Sequence, residues 1–251
     1  MKQQMRSKES GNVLFLILIA VALFAALSYA VTSSTRSSGS SSSNETTLIS
    51  SAQVTQYPAG VRTAVVRMIL GGATIDTLEF NPPSTFGSLF VDTLGRRSRG
   101  VFHPDGGGAT YTVPPADQTS TGNESWQFNA DVQIQNVGIT NAPATAGGDA
   151  NELVAWLCNP TLALCQKINR QLGINVAGVP TNVGVPDVAG IPATLCTDNL
   201  VAGGAYTFPV VDGPIIGAVA GDIALRGQPF GCFTDTDNAD RLVYYHTLVE
   251  R

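Results

Sequence analysis

The sequence contains few charged residues and little positive charge. Asp, Glu, Lys and Arg make up 13% of its 251 residues, against roughly 25% in an average soluble domain. The formal net charge is −5; residues 1–31 sum to +2 and the other 220 residues sum to −7. Because an acidic body is repelled by phosphate backbones, we expect neither DNA nor RNA as a partner. A hydrophobic content of 43% excludes a chain that is disordered throughout.

Residues from which enzymes build catalytic and zinc sites are also scarce. The sequence has two histidines and no Cys-x-x-Cys pair, and it lacks a P-loop, a dinucleotide fingerprint and a Gly-x-Ser-x-Gly elbow. His103 precedes Pro104, Asp105 and three glycines, which indicates a turn rather than an anion-binding loop. His246 lies in an apolar stretch and is expected to pack. We therefore predict that the chain is not an enzyme, and a membrane-tethered hydrolase is an alternative without a motif to support it.

The longest apolar run covers residues 13–31, which contain no charged side chain. At about 1.5 Å per residue, a helix of this length spans roughly 28 Å, close to the thickness of the hydrocarbon core of a bilayer. Three basic residues precede the run and only Arg36 closely follows it, so the positive-inside rule places the N-terminus in the cytoplasm and the body outside. A cleaved secretory signal ending at Ser28-Tyr29-Ala30 is the alternative. The length of the run favours a retained transmembrane helix.

Small residues recur along this helix. Ala22, Ala26 and Ala30 are spaced by four, so they share one helix face. A small-residue face lets another helix approach closely in lipid or in a helical bundle. These three positions are the candidate helix-packing residues.

The start of the chain resembles the type IV pilins and pseudopilins. A basic leader ends in Lys8-Glu9-Ser10-Gly11, and an uninterrupted apolar helix follows at once. The resemblance covers about the first thirty residues. It implies that a prepilin peptidase cuts between Gly11 and Asn12 and that the apolar helices pack in a filament core. It also implies a bacterial inner-membrane location, with the head at the cell surface once a filament assembles.

We predict an α+β fold with a transmembrane helix, a second amphipathic helix and an antiparallel sheet head joined by disulfides. Ten serines and threonines in residues 32–43 predict a flexible spacer. Asn44 is expected to cap the second helix, Pro58 to kink or split it, and Gly71-Gly72 to end it. The predicted segments are a leader (1–11), a transmembrane helix (12–31), the spacer (32–43), and the extracytoplasmic head (44–251) with its helix at 44–70 and strands from residue 74.

Within the head, the clearest strand pattern lies at 126–135, where five apolar residues alternate with polar ones. A period of two predicts one packed face and one face in water. Asn159 and Pro160 are expected to open a helix that ends at Gly173. The Gly/Pro-rich region after it carries Gly-Val-Pro at 178–180 and 184–186 and Gly-Ile-Pro at 190–192, which predicts an extended surface loop. Further strands are predicted at 74–80, 87–94, 152–158 and 242–251.

Four cysteines lie in the last hundred residues: Cys158, Cys165, Cys196 and Cys232. On the extracytoplasmic side they predict two disulfides, with three connectivities open. Direct pairing of Cys158 with Cys165 is awkward across a strand-to-helix junction. Bonds to Cys196 and Cys232 would close longer loops. A zinc site is the alternative, without the close spacing that zinc ligands usually have.

An acidic cluster precedes the last predicted strand. Asp235, Asp237, Asn238 and Asp240 place three carboxylates and an amide within six residues. Calcium prefers clustered oxygen ligands of this kind, but Ala239 occupies the position of the third ligand. The main interpretation is a solvated acidic turn, and a calcium site is the alternative. No other cofactor is predicted.

These features together predict a structural subunit of a pilin-like or pseudopilin-like envelope filament. Its partners are the membrane and other copies of itself or related subunits. The alternative is a membrane-tethered binding module, for a glycan or protein ligand, that does not polymerise. Leu16 favours this alternative, because most type IV pilins have glutamate at this fifth position of the mature chain.

Overall fold

The computed structural model describes residues 10–85, 96–121, 124–130, 132–138, 151–174, 187–188, 193–196, 215–218 and 222–250; the side chains at 10–12 and 34–44 lie outside this description. The chain divides into two compact units, Met1–Thr46 and Thr47–Arg251. The predicted strand at 87–94 and the three Gly-x-Pro triplets lie outside the described residues.

One long helix, α1 (Ser10–Leu70), occupies the place of the two predicted helices. The prediction of a flexible spacer at 32–43 that separates them is wrong, because the backbone is helical throughout. Serine and threonine are tolerated in a helix when the hydroxyl bonds a carbonyl of the preceding turn. At the start of this segment the Thr32 hydroxyl donates to the Ser28 carbonyl (2.7 Å), and the Ser33 hydroxyl donates to that of Ala30 (3.0 Å).

The last part of α1 packs on the head, and its end is as predicted. Val54, Val61 and Val65 are at most 1% exposed, which confirms an amphipathic helix. Pro58 lies inside α1 without splitting it, because packing of this buried face offsets the lost backbone hydrogen bond. The helix stops at Leu70, and Gly72 follows with φ +97°, a conformation that glycine adopts readily.

The head combines two further helices with seven strands among the described residues. Three predicted elements are confirmed in type, namely the strands near 152–158 and 242–251 and the helix that ends at Gly173. The elements are α2 (Arg96–Arg99), β1 (Trp126–Asn129), β2 (Gln133–Ile134), β3 (Leu153–Cys158), α3 (Leu162–Gln171), β4 (Asp187–Val188), β5 (Ile215–Ile216), β6 (Phe230–Asp235) and β7 (Arg241–Val249).

The main sheet has the strand order β1-β3-β7-β6-β4. Its first four strands are antiparallel, and the short β4 pairs parallel to β6 at the edge. A separate two-stranded parallel sheet joins β2 to β5. The predicted α+β class with an antiparallel sheet is therefore confirmed.

Both faces of the main sheet are covered. On one face α1 and α3 pack against residues that include Phe128, Leu157 and Tyr244. On the other face, residues of β2, β5 and the 3-10 helices Ala193–Cys196 and Ile223–Leu225 pack against Trp156 and Tyr245. Because each face has its own hydrophobic layer, the central strands β3 and β7 are buried on both sides.

The hydrophobic layer that β2, β5 and the 3-10 helices form on the second face of the sheet contradicts the prediction for residues 126–135. This segment forms two short strands in different sheets, β1 and β2, and the predicted water-facing side is buried. Gln127, Asn129 and Gln133 are 7%, 0% and 1% exposed. Asn129 accepts a hydrogen bond from the Trp156 indole (2.7 Å) and donates one to the Leu195 carbonyl (3.3 Å), which supports its burial.

Two smaller predictions also need correction. The N-cap of α3 is Thr161, not Asn159; Asn159 has φ +51° and ends the strand before the helix begins. Residues 74–80 do not form a strand: Ile75–Thr77 is a 3-10 turn, and Glu79 makes a single bridge to Gly100. Both segments use local turn geometry where the sequence pattern predicts a regular element.

Candidate functional site

The apolar N-terminal helix is the first candidate site. Val13–Ser33 has a mean hydropathy of 2.7 and no buried residue, so by length and composition it is able to cross a membrane. Ala22, Ala26 and Ala30 lie in this exposed stretch of α1. Gly11 and Asn12 belong to the helical backbone of α1, and the side chain of Asn12 lies outside the description. Cleavage between these two residues stays a prediction.

The cysteines form two disulfides, as predicted. The pairing, which the sequence left open, is Cys158–Cys196 and Cys165–Cys232, with Cα–Cα distances of 5.9 and 5.3 Å. Each bond joins the main sheet to a different covering layer. Cys232 of β6 is bonded to α3 on one face, and Cys158 of β3 is bonded to the 3-10 helix Ala193–Cys196 on the other. The bonds therefore hold both layers on the sheet.

The acidic turn between β6 and β7 has its buried carboxylate already paired. Asp235 is fully buried; Arg241 lies 2.6 Å from one carboxylate oxygen, and the Asn238 amide donates to both oxygens. Asp237 and Asp240 are exposed. Over the described ranges, no three His, Cys, Asp or Glu side chains are grouped as a metal site. The carboxylate of Asp235 is thus engaged within the turn itself, and calcium binding stays an alternative to be tested.

The glycine-rich segment at 103–108 is a turn whose amides are used internally. The amides of Gly106 and Gly108 donate to the His103 carbonyl, and that of Gly107 donates to the Gly100 carbonyl, at 2.9–3.0 Å. The Gly107 carbonyl in turn accepts a hydrogen bond from Arg67 of α1. Since these amides are paired, the segment does not offer them to an anion, and the turn interpretation is confirmed.

His246 is a packed residue of β7, as predicted. It is 8% exposed, and its ring stacks on Phe230 with centroids 5.3 Å apart. The Tyr244 hydroxyl lies 2.9 Å from Nδ1 of His246. Burial lowers the pKa of His246 from 6.5 to about 4, with a smaller contribution from the positive charge of Arg62. The imidazole is therefore neutral at physiological pH.

A groove that no sequence motif marks lies between α1 and residues 110–118. Its volume is about 540 Å³, within the usual range of ligand sites. None of its twelve lining residues is charged. Helix α1 contributes Gln53, Gln56, Tyr57, Gly60 and Val61, residues 110–118 contribute Thr110, Thr112, Val113, Pro114, Pro115 and Gln118, and β1 contributes Trp126. We call this feature the neutral groove.

Side-chain contacts fix the two walls of the neutral groove. The Gln118 amide donates to the Gln53 side chain at 2.8 Å, and the Thr112 backbone amide donates to the Tyr57 hydroxyl at 3.3 Å. The rings of Tyr57 and Trp126 lie 5.1 Å apart at an angle of 42°. Burial raises the pKa of Tyr57 to about 12, so its hydroxyl remains protonated and able to donate.

Several polar groups of the neutral groove have no partner among the described residues. These are the Gln56 amide, the Thr110 hydroxyl and the indole N–H of Trp126. Trp126 is only 3% exposed, and a buried tryptophan usually donates its N–H to an acceptor. The groove therefore combines aromatic walls with unused, uncharged hydrogen-bonding groups.

No protein-family model, no curated protein and no solved structure matches the chain. Its function is therefore inferred from its own residues and geometry.

The neutral groove was not predicted because its parts are distant in sequence. Tyr57, residues 110–118 and Trp126 lie in three separate segments, and each is ordinary by itself. Pro114-Pro115 marks an extended segment, and Gly60 inside a helix marks a close approach or an open space. Neither signal indicates that the two segments face each other.

Proposed function

We propose that the chain is a subunit of a pilin-like or pseudopilin-like envelope filament. The observation that carries the proposal is the composition of α1: its Val13–Ser33 stretch is apolar and exposed, while residues 47–70 pack on an antiparallel sheet. A helix of this kind is suited to hold a folded head at a membrane. No chemical step is needed for this role.

The two disulfides support an extracytoplasmic head, because disulfides persist in oxidising compartments. The positive-inside rule also places the head outside the cytoplasm, because the basic residues come before the apolar stretch. We place the chain in a bacterial inner membrane with its head outside, and at the cell surface after assembly. Its partners are the membrane lipids and other copies of the chain or related subunits.

Mass spectrometry of the mature N-terminus tests the processing step of this proposal. A pilin-like subunit purified from its own cells starts at Asn12. An intact Met1 would indicate a plain membrane anchor, and a start after Ala30 would indicate a secreted protein; either result contradicts the proposal.

Cysteine cross-linking tests the packing of the helices. The described cysteines are all in disulfides, so a cysteine introduced in α1 supplies a free thiol. Ala26→Cys is expected to give cross-linked dimers in membranes. Phe24→Cys, about 200° around the helix and 75% exposed, is the control and should cross-link several-fold less. Equal or absent cross-linking at both positions contradicts packing through the alanine face.

The neutral groove favours a second function, a membrane-tethered binding module. A groove with paired walls and unused hydrogen-bonding groups is suited to an uncharged ligand. This function does not require polymerisation. It is consistent with Leu16, which stands where most type IV pilins have glutamate. The two functions are separable, since the groove lies in the unit Thr47–Arg251 and the alanine face lies in the unit Met1–Thr46.

A further inference from the structure

We propose that the neutral groove binds a neutral oligosaccharide, one pyranose ring of which packs on the paired rings of Tyr57 and Trp126. The proposal deepens the second function given above and rests on the head being a binding module. It is supported by the polar side chains of the groove, by the arrangement of its two aromatic rings and by the paired backbone of one wall.

Polar side chains in the lining argue against both apolar and charged ligands. Half of the twelve lining residues end in an amide or a hydroxyl, namely Gln53, Gln56, Tyr57, Thr110, Thr112 and Gln118. An apolar ligand, such as a lipid chain, would cover these groups without bonding them, and each group left unpaired costs free energy. A charged ligand would find no counter-charge among the lining residues. The lining therefore suits an uncharged ligand that is rich in hydrogen-bonding groups.

The unused groups of the groove match the hydroxyls of a sugar. The Gln56 amide and the Thr110 hydroxyl have no partner among the described residues, and each is able to donate and to accept. Because a sugar hydroxyl also donates and accepts, two neighbouring hydroxyls can bond to one amide, through its N–H and its carbonyl. The N–H of Trp126, which is 3% exposed, adds a donor at a buried position where an acceptor is expected.

The two aromatic rings form one continuous surface. Their centroids are 5.1 Å apart and their planes meet at 42°, so the rings are in contact and leave no slot between them for a proline ring. Tyr57 is partly exposed, whereas Trp126 is almost fully buried, so Tyr57 supplies most of the accessible face. A pyranose ring has C–H groups on its faces and hydroxyls around its edge. It can therefore pack on this surface while its hydroxyls meet the polar side chains around it.

The backbone of residues 110–118 argues against a peptide that binds as an added strand. That mode of binding uses free N–H and C=O groups along an edge. In this wall the Thr112 amide donates to the Tyr57 hydroxyl, and the Gln118 amide donates to the Pro115 carbonyl. The two prolines of the wall have no N–H. Recognition at this wall therefore depends on side chains, as it does for a sugar.

Titration calorimetry of the full-length chain with neutral trisaccharides tests the proposal. The chain is kept in micelles of lauryldimethylamine oxide, because a detergent with a sugar head group could occupy the groove. The probes are cellotriose, maltotriose, mannotriose and triacetylchitotriose. We expect saturable binding of at least one probe with a Kd of about 1 mM or lower, and no binding of trigalacturonic acid, a charged trisaccharide. Binding of none of the neutral probes, or equal binding of the charged one, overturns the proposal.

Matched variants locate the binding. A Cβ at Gly60 meets no atom within 4 Å, so Gly60→Leu fills the groove without a clash and should weaken binding about tenfold or more. Ala59→Leu adds the same side chain at the neighbouring exposed position, which does not line the groove. It should leave the Kd unchanged within about twofold. Equal effects of the two variants overturn the assignment to the groove.

A second pair of variants tests the hydrogen-bonding groups. Gln56→Ala removes an exposed amide of the groove and should weaken binding about three- to tenfold, the usual loss for one hydrogen bond. Gln171→Ala changes an exposed glutamine of α3 that does not line the groove, and it should leave binding unchanged. Both positions are helical, so alanine is expected to leave the fold intact. A loss of affinity in Gln171→Ala as large as that in Gln56→Ala contradicts the proposal.

A neutral peptide separates failure of the saccharide assignment from failure of the second function. The probe is a proline decamer with both termini blocked. Saturable peptide binding that Gly60→Leu abolishes, with no saccharide binding, would overturn the saccharide assignment and leave the groove as a binding site. Binding of neither probe would contradict the second function as well. Cross-linking at Ala26→Cys is measured separately, so the filament function does not depend on either result.

Discussion

At the scale of single residues, the buried imidazole of His246 makes the stability of the head depend on pH. Burial lowers its folded-state pKa to about 4, from 6.5. Below pH 6.5 the unfolded chain binds a proton that the folded chain does not bind until about pH 4, so the free energy of unfolding falls as the pH falls through this window. The shift corresponds to a loss of about 3 kcal/mol from this group. Urea unfolding at pH 7 and pH 4.5 measures it.

The variant His246→Gln removes this titration. We expect it to be less stable than the wild type at pH 7, because the ring contact with Phe230 is lost. It should also lose less stability than the wild type on acidification, by an amount on the order of 2–3 kcal/mol. His103→Gln is the control. A wild-type pH dependence that disappears in His103→Gln and persists in His246→Gln would contradict the assignment.

Replacement of glycine by alanine is expected to have opposite effects on stability at Gly60 and at Gly107. Gly60→Ala places a methyl group in open space inside α1 and should stabilise the chain by about 1 kcal/mol, the difference in helix propensity. Gly107→Ala places its Cβ 2.4 Å from the Val101 carbonyl oxygen and 2.9 Å from the Met68 sulfur, and it should cost about 1–3 kcal/mol. Thermal unfolding of both variants measures the difference, and equal effects would contradict the described packing.

The ion pair of the acidic turn predicts the effects of charge removal and of calcium. Arg241→Met leaves the fully buried Asp235 carboxylate without its cation and should cost about 3–5 kcal/mol. Asp240→Asn changes an exposed carboxylate and should cost less than about 0.5 kcal/mol. Because the oxygens of Asp235 are already bonded to Arg241 and Asn238, millimolar calcium should leave the unfolding temperature unchanged. A calcium-dependent increase that Asp235→Asn abolishes would contradict this.

At the scale of elements, the disulfide Cys165–Cys232 and a side-chain amide hold α3 on β6 together. The Asn169 amide donates to the Cys232 carbonyl and accepts from its backbone amide, at 3.0 and 2.9 Å. The bond closes a loop of 67 residues, for which chain entropy gives about 4 kcal/mol. The double variant Cys165→Ala/Cys232→Ala should lose about this amount in urea unfolding. Titration of free thiols in the unreduced wild type would contradict the described pairing.

The sequence predicted the strands that carry β-branched and aromatic residues, and it missed how they are covered. Alternation at 126–135 shows which side chains share a face, but not whether distant segments cover the other face. Glu152, the residue before β3, is an example: its buried carboxylate accepts a hydrogen bond from the backbone amide of Ile134 in β2 at 2.8 Å. Such pairings join residues far apart in sequence, and no local pattern reports them.

At the scale of the whole molecule, sequence patterns predicted those features that depend on a single segment or residue type. The apolar stretch and the cysteines are properties of single segments or residue types, so composition and compartment were sufficient to predict two disulfides and an apolar helix long enough to cross a membrane. The neutral groove depends on the register of α1 against residues 110–118, which hydrogen bonds such as Gln118 to Gln53 fix. This register is a tertiary property, and it is therefore the part of the candidate site that sequence patterns did not contain.

The division into two units predicts that the apolar stretch of α1 and the head behave separately in solution. The unit Thr47–Arg251 contains the whole main sheet, both hydrophobic layers and both disulfides, while the apolar stretch Val13–Ser33 lies in the other unit. A chain of residues 47–251 produced in an oxidising compartment should remain in buffer without detergent and show no free thiol. A chain lacking only residues 1–11 is the control and should sediment with membranes, because it keeps the apolar stretch. Aggregation of the 47–251 chain with reduced cysteines would show instead that the head needs the first unit in order to fold.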